Sequence, residues 1–438
     1  MKHCKWTAEL YMKQKVRPSR GIHLSVVYEP PSSEEASSRV EIILEHSHFQ
    51  MKKVDIFANG YYKNNRILMT LIGLWPESTM REIICVRISV AILLVSIMIP
   101  QYTYLFRKCD NLDDMIFGII AQISIIVAFT KYYFVVKNME RITMVLRQIR
   151  EDWSLLEDSP PIRTLQTYAG RGAFGTRIYM TVIFSSASFF SIVPLKEGIL
   201  DRLLPLNESR PKVFMLDADY SVYGIDANKL FLPTLIHSYF TSMIVMNMIV
   251  SIDTFILIIV EHCCGLFKVV GILLNETELH ESWNVQCDII GNAVVIHHRA
   301  LLLAEFIESS FTMMYAFVVL ISMLLISITG LESIIKINEL AEVTRFSAFL
   351  GGQLTHLLFM SLPGQELLDH SSQVSEDVYG CNWSGISPVG KKLISIMLMR
   401  SMKPSGMTAG GFYALNLENY ANVLRTSFSY FTVMLSNR

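Results

Sequence analysis

The sequence predicts an all-α membrane protein with seven transmembrane helices. Of its 438 residues, 51% are hydrophobic and only 18% are charged, whereas about a quarter of the residues of a soluble domain are charged. Long apolar runs recur along the chain, most of them close to the roughly 20 residues that a helix needs to cross a bilayer. The final stretch combines a polar side with an apolar side. Together these features favour a bundle of membrane-spanning helices.

The composition also argues against several functional classes. The net charge of -1 offers no basic surface for nucleic acid. The seven cysteines are scattered without CxxC or Cys/His spacing, so no structural zinc is predicted. No glycine-rich phosphate loop, nucleophile elbow or HExxH is present, so we predict neither an enzyme nor a bound cofactor.

Residues 1–55 are polar and irregular, and residues 29–35 read EPPSSEE. This composition predicts a disordered or otherwise atypical N-terminal extension. No apolar segment follows Met1, so a cleaved signal peptide is not expected. Residues 61–76 are amphipathic and predict an interfacial helix, with Trp75 as its anchor at the membrane surface.

Six apolar runs follow, and each is predicted to be a transmembrane helix. They cover residues 88–106, 115–136, 178–195, 231–260, 306–329 and 346–362. The sixth run is the weakest, and its Gly351–Gly352 pair permits close packing of helices. In the fourth run, we interpret Asp253 as lying below the bilayer, where this long helix continues into the cytoplasm. His237 in the same run is either a polar group of a pocket or an interfacial residue.

The seventh predicted span, residues 415–435, is amphipathic. A polar stripe recurs at steps of three and four residues, which place it on one side of a helix. The stripe consists of Asn419, Asn422, Thr426, Ser429, Val433 and Ser436, and the opposite stripe consists of Leu417, Ala421, Leu424, Phe428, Phe431 and Leu435. We interpret the polar stripe as facing water in a pore, since a polar face in a membrane turns to water or to another helix. The alternative is that this stripe packs within a cytoplasmic helical bundle.

The loop between the second and third runs is rich in basic residues, which accumulate in cytoplasmic loops. They are Lys131, near the end of the second run, and Lys137, Arg141, Arg147, Arg150, Arg163, Arg171 and Arg177 after it. The preceding loop offers only Arg107 and Lys108, balanced by three aspartates. The N-terminus is therefore predicted to be cytoplasmic, and an odd number of spans places the C-terminus outside the cell.

Three glycosylation sequons bear on this topology. Asn207 lies between the third and fourth runs, on the predicted outer side, and is the glycosylation candidate. Asn275 and Asn382 lie on the predicted inner side and are expected to stay unmodified.

The segment before the last span, residues 363–414, is predicted to be cytoplasmic. Residues 388–402 form an amphipathic helix, which ends at the Lys-Pro-Ser-Gly sequence because proline does not continue a helix. The chain thus divides into the extension (1–55), a bundle of six helices that binds the ligand (56–362), an anchor segment (363–414) and a pore-lining helix (415–438).

Three motifs resemble the insect odorant receptor family, in the form found in its ant and bee branch. They are KPSGMTAGGFYALNLENYANVLRTSFSYFTVML at residues 403–435, PGQELLDHS at residues 363–371 and NNRILMTLIGLWP at residues 64–76. The C-terminal motif is the most specific of the three. The resemblance covers residues 56–438, and residues 1–55 depart from the family pattern.

The resemblance implies a channel of four subunits, in which the last helices surround a cation pore and the cytoplasmic helix ends are in contact. It implies a ligand-specific subunit that assembles with a shared co-receptor subunit as a heterotetramer. The expected location is the plasma membrane of olfactory sensory neurons, in contact with membrane lipid. A volatile or cuticular hydrophobic odorant in the outer half of the bundle would open a non-selective cation pore.

Carried over to this chain, the resemblance assigns the pore and gate to residues of the last helix. They are Thr426, Ser429, Val433, Ser436 and Asn437. Val433 would form a narrow apolar point, whereas Asn437 stands where the co-receptor has a larger apolar residue. Because gating by dewetting needs an apolar ring, we expect this chain to depend on the co-receptor.

Candidates for odorant binding come from the outer halves of the second, third, fourth and sixth predicted spans. They are Phe117, Ala121, Ser188, Phe189, Phe190, Tyr239, Ser242, Phe346 and Phe349. Apolar side chains with a few polar groups suit a small hydrophobic ligand. The alternative for each residue is plain helix packing, which is where aromatic side chains usually lie.

Two other receptor classes are alternatives to this interpretation. A G-protein-coupled receptor has the opposite topology. It carries an Asp-Arg-Tyr sequence at the end of its third span, a proline in its last helix and a cysteine in the second outer loop, and this sequence has none of these features at the corresponding places. A gustatory receptor shares the expected architecture and is the closer alternative. The pairs Ser429–Tyr430 and Ser436–Asn437 favour the odorant branch.

Overall fold

The computed structural model describes residues 15–19, 23–27, 56–58, 60–107, 112–196, 203, 212, 214–280 and 282–436. Within these residues the chain forms ten α-helices. They are α1 (Lys63–Thr70), α2 (Met80–Arg107), α3 (Leu112–Lys137), α4 (Met139–Leu156), α5 (Ile162–Ile192), α6 (Phe231–Glu276), α7 (Trp283–Ile335), α8 (Leu340–Gly380), α9 (Pro388–Ser401) and α10 (Leu417–Ser436).

Two short antiparallel ladders accompany the helices. The first joins β1 (Lys15–Ser19) to β2 (His23–Val27), inside the segment for which the sequence predicts no regular structure. The second joins β3 (Thr408–Ala409) to β4 (Tyr413–Ala414), just before α10. Apart from these ladders, the described chain is a helical bundle, as the sequence predicts.

All seven predicted spans fall on helices, which are α2, α3, α5, α6, α7, α8 and α10 in chain order. Among the described residues, four stretches are long and apolar enough to cross a membrane: Met80–Arg107, Gly118–Lys137, Phe231–Leu279 and Trp283–Ile335. The helices α6 and α7 contain 46 and 53 residues, or about 70 and 80 Å at 1.5 Å per residue. Each is more than twice as long as the roughly 30 Å hydrocarbon layer, so both helices project well beyond it.

The helix α6 forms the centre of the bundle. Its residues from Val250 to Leu266 are all buried, polar ones included. A helix that is buried on every side is apolar over most of its surface, and the acidic residues within this stretch have ionic partners: Asp253 pairs with Lys131 and Glu261 with Arg171. The helices α3, α5, α7 and α8 pack around α6.

The segment around α1 differs from the sequence expectation. The helix is shorter than predicted, and Gly73 turns the chain after it with φ of 68°. Trp75 is only 1% exposed, and its ring packs edge-on against Phe57 at 5.6 Å. Trp75 is therefore a core residue of this chain, because the chain folds back over it, and it is not a surface anchor.

Two further details concern α6 and α8. Asp253 is buried inside the bundle and paired with Lys131 of α3, so it is a partnered residue of the core. A Cβ atom added at Gly351 or Gly352 would meet nothing within 4 Å. These two glycines therefore do not mark a close contact between helices of this subunit.

Candidate functional site

A cavity of about 170 Å³ lies between the helices α2, α3, α5, α6 and α8. Its wall is mainly apolar. It includes Ile97 of α2, Ile125 of α3, Ile183 of α5, Met246 of α6 and Phe349 of α8. A concave, mostly apolar space with a few polar groups is the usual form of a small-molecule site.

The deep end of this cavity, toward the middle of the bundle, is formed by Tyr179 and His356. Behind them, Lys131 Nζ donates a hydrogen bond to Asp253 Oδ1, and both side chains are buried. The Tyr179 hydroxyl donates to Asp253 Oδ2 at 3.2 Å, and Lys131 Nζ lies 2.8 Å from His356 Nε2. A buried charge needs a partner and hydrogen bonds, and this cluster supplies both.

The opposite end of the cavity is covered by the segment before α6. Met215 and Leu216 contribute to the wall, and the Asp219 amide donates to the Pro100 carbonyl at 2.8 Å. The hydroxyl of Tyr220 lies 2.9 Å from His237 Nδ1. His237 therefore links α6 to this covering segment, and it does not line the cavity.

Three of the nine predicted odorant-binding residues line the cavity: Ala121, Ser242 and Phe349. Three others lie outside its wall: Ser188, Tyr239 and Phe346. Phe346 instead belongs to a small core cluster with Ile120 and Leu325. The side chains of Phe117, Phe189 and Phe190 lie outside the described residues.

The polar cluster at the deep end is not predicted from the sequence. The sequence interpretation places Lys131 near the end of the second span and Asp253 below the bilayer, and it includes neither Tyr179 nor His356. One signal was present, since Lys131 and Asp253 are charges of opposite sign within two otherwise apolar runs. Intramembrane charges usually pair with one another, so these two residues were candidates for such a pair.

The last helix, α10, contacts its own subunit through a third face, between its polar and apolar stripes. Val423 and Ser427, four residues apart, are buried there. Ser327 of α7 donates to the Ser427 carbonyl at 3.3 Å. On the polar stripe, Thr426 is half-buried and Ser429, Val433 and Ser436 are exposed, while Asn437 lies outside the described residues. On the apolar stripe, Phe428 is 65% exposed.

The start of α10 is fixed to α7 by the hairpin of β3 and β4. Gly410 and Gly411 turn the chain with φ of 70° and 81°, a conformation that glycine adopts without strain. The Gly410 amide donates to the Thr312 carbonyl at 2.9 Å, and the Thr408 amide donates to Glu308 Oε2 at 2.7 Å. Burial raises the pKa of Tyr413 to about 12. The C-terminal motif thus has a structural role in docking the last helix.

Comparisons with known proteins agree on one family. The sequence profile described as 7tm Odorant receptor matches residues 111–428. Odorant receptor 13a of Drosophila melanogaster is 24% identical over 224 residues, which cover 47% of this chain and 53% of that protein. The odorant receptor coreceptor of Drosophila melanogaster is 28% identical over 87 residues, 20% of this chain and 18% of that protein. The chain spans about half the length, or less, of the first curated relatives it matches.

The fold also has a solved counterpart. The insect olfactory receptor OR5 from Machilis hrabei, in complex with eugenol, aligns with a TM-score of 0.68. The alignment covers 86% of this chain and 97% of that chain at 14% sequence identity. At this identity the likeness establishes the fold alone.

Proposed function

Because this chain belongs to the odorant receptor family of insects, a family of multi-pass membrane receptors and not of enzymes, we propose that it is an odorant-binding subunit of a ligand-gated, non-selective cation channel. In this proposal the N-terminus is cytoplasmic and the C-terminus is extracellular. The seventh helix, α10, lines the pore, and the cavity between α2, α3, α5, α6 and α8 holds the odorant.

The observation that carries the pore proposal is the way α10 packs. One face of this helix is buried against the rest of the chain at Val423 and Ser427, whereas Ser429, Val433 and Ser436 of the polar stripe are exposed. A polar stripe facing lipid is unfavourable, and a stripe facing water is not. Four subunits around a common axis would turn Thr426, Ser429 and Val433 toward a water-filled channel.

The apolar cavity supports the proposal of a ligand site. It lies between five helices and its wall is mainly apolar, so a hydrophobic molecule inside it would bury much of its surface. With a cytoplasmic N-terminus, the cavity lies in the outer half of the bundle. The solved relative from Machilis hrabei is in complex with eugenol, and we propose that this chain likewise takes a small hydrophobic odorant.

The proposed partner is a co-receptor subunit. The similarity to odorant receptor coreceptors of Drosophila melanogaster and Harpegnathos saltator supports a shared assembly. The polar Asn437 near the predicted gate supports dependence on a partner that supplies an apolar ring. The resulting heterotetramer would lie in the plasma membrane of olfactory sensory neurons.

The proposal is tested by whole-cell current in cells that express this chain alone or with a co-receptor, while G-protein signalling is blocked. A broad panel of volatile odorants is applied. We expect a fast cation current only in co-expressing cells. Odorant responses that disappear when G proteins are blocked would instead indicate a G-protein-coupled receptor.

A further inference from the structure

A buried ion pair closes the deep end of the cavity. Lys131 of α3 and Asp253 of α6 are in direct contact, and the exposed fractions of their side chains are 0% and 2%. Asp253 also accepts the hydrogen bond from Tyr179, whose ring stacks on Phe359 at 3.7 Å. Because an incompletely paired ion in such surroundings is costly, the positions of these groups are tightly fixed.

The ion pair determines which nitrogen of His356 carries hydrogen. Lys131 Nζ lies 2.8 Å from His356 Nε2, and an ammonium group has donors but no acceptor. The Nε2 atom must therefore accept from Lys131, so a neutral imidazole carries its hydrogen on Nδ1. Asp253 Oδ2 is further from Nε2, at 3.3 Å. The shorter contact therefore decides the tautomer.

The Nδ1–H group of His356 is directed to the cavity. His356 is 7% exposed and forms part of the wall. Within the described part of the chain, Nδ1 has no hydrogen-bond partner. A ligand that brings an acceptor oxygen to this position therefore gains a hydrogen bond.

Two other hydroxyl groups of the wall donate within their own helices. Thr241 donates to the His237 carbonyl at 2.7 Å, and Ser124 donates to the Ile120 carbonyl at 3.0 Å.

The size of the cavity adds a second restriction on the ligand. A protein cavity of about 150 Å³ holds one benzene molecule, so the 170 Å³ here suits one ring with a small substituent. Long-chain cuticular hydrocarbons exceed this space.

We propose that the cavity selects small odorants that carry a carbonyl oxygen, such as ketones, aldehydes or esters, and that His356 Nδ1–H donates a hydrogen bond to that oxygen. Lys131 and Asp253 are positioning residues that set the tautomer and orientation of the ring. The inference rests on the proposed function of the cavity as the odorant site, and it specifies the chemical class of the odorant.

The test compares two probes of nearly equal shape, acetophenone and α-methylstyrene, which differ by a carbonyl oxygen in place of a methylene group. Binding to the purified full-length protein is measured from the rise in unfolding temperature with ligand concentration. We expect acetophenone to bind about tenfold more tightly, which is the upper end of the net contribution of one hydrogen bond after the exchange with water. His356→Leu should bring the ratio of the two affinities close to one, because it weakens the binding of acetophenone alone.

Two variants serve as controls. His356→Asn places an amide NH₂ near the original Nδ1 position and should keep most of the preference for acetophenone. Gln353→Leu removes another polar side chain of the wall, one turn earlier on α8, and should leave the ratio unchanged. If His356→Leu does not fold, His356→Gln decides the question, because it keeps an acceptor for Lys131 but moves the donor away from Nδ1.

Several results would overturn the inference. They are equal affinities of the wild type for the two probes, no binding of either probe, an unchanged ratio in a folded variant that lacks the Nδ1 donor, or a preference for the alcohol 1-phenylethanol over acetophenone. The currents described above test the channel separately. A carbonyl preference in binding, without any odorant-gated current, would support the inference while contradicting the channel function.

Discussion

Gly364 of α8 lies directly against the backbone of Leu415, the residue that leads into α10. A Cβ atom on residue 364 would be 2.0 Å from the Leu415 carbonyl oxygen and 3.0 Å from its carbonyl carbon. A side chain at this position requires one of the two backbones to move. The contact therefore sets the distance between α8, which borders the cavity, and the start of the proposed pore helix.

We predict that Gly364→Ala destabilises the protein and reduces odorant-gated current. Overpacking against backbone typically costs about 1–3 kcal/mol, so the unfolding temperature of the purified protein should fall. Gly351→Ala is the matched control, since it lies on the same helix with nothing within 4 Å of its Cβ position. Equal unfolding temperatures for the two variants would show that the Gly364 contact does not constrain α10.

The buried pair of Lys131 and Asp253 gives a second prediction. Lys131→Met should destabilise the protein by about 3–5 kcal/mol, because it leaves a buried carboxylate without its partner. Thermal unfolding in detergent measures the loss. Lys137→Met, an exposed lysine at the end of the same helix, should have little effect.

The double variant Lys131→Met with Asp253→Leu should recover much of that loss, since apolar residues of similar volume often replace a buried ion pair without penalty. A double variant as unstable as Lys131→Met alone would show that the loss comes from packing and not from the unpaired charge.

The proposed pore position of Val433 can be tested by chemical accessibility. Val433→Cys, on the polar stripe, should react with a water-soluble, charged methanethiosulfonate reagent, and the reaction should reduce the odorant-gated current. Phe428→Cys, on the apolar stripe, should not change the current on treatment. The same reagent applied to the wild-type chain, whose Cys85 is exposed, gives the background effect on the current. Current block through Phe428→Cys alone would reverse the assignment of the two stripes.

The topology is tested by glycosylation. Asn207, which lies outside the described residues, is predicted to be extracellular and to carry a glycan in eukaryotic cells. Glycosidase treatment should increase the electrophoretic mobility of the wild type but not of Asn207→Gln. Modification at Asn275 or Asn382 would place those segments outside the cell and contradict a cytoplasmic N-terminus.

Local sequence accounts for most of the helices but for only part of the candidate site. All seven predicted spans coincide with helices, since apolar length and helical periodicity are properties of one segment. Among the predicted odorant-binding residues, Ala121, Ser242 and Phe349 line the cavity, whereas Phe346 turns to another cluster. Whether a residue lines the cavity depends on the rotation of its helix about the helix axis, and the neighbouring helices set that rotation.

The sequence alone determined that this protein is a bundle of seven apolar or amphipathic helices with the C-terminal motif of the odorant receptor family. Only the tertiary structure decided which distant residues meet. Lys131 pairs with Asp253 across 122 positions and contacts His356 across 225. A charge in an apolar run must find a partner, but the choice of partner depends on which helix faces are packed together.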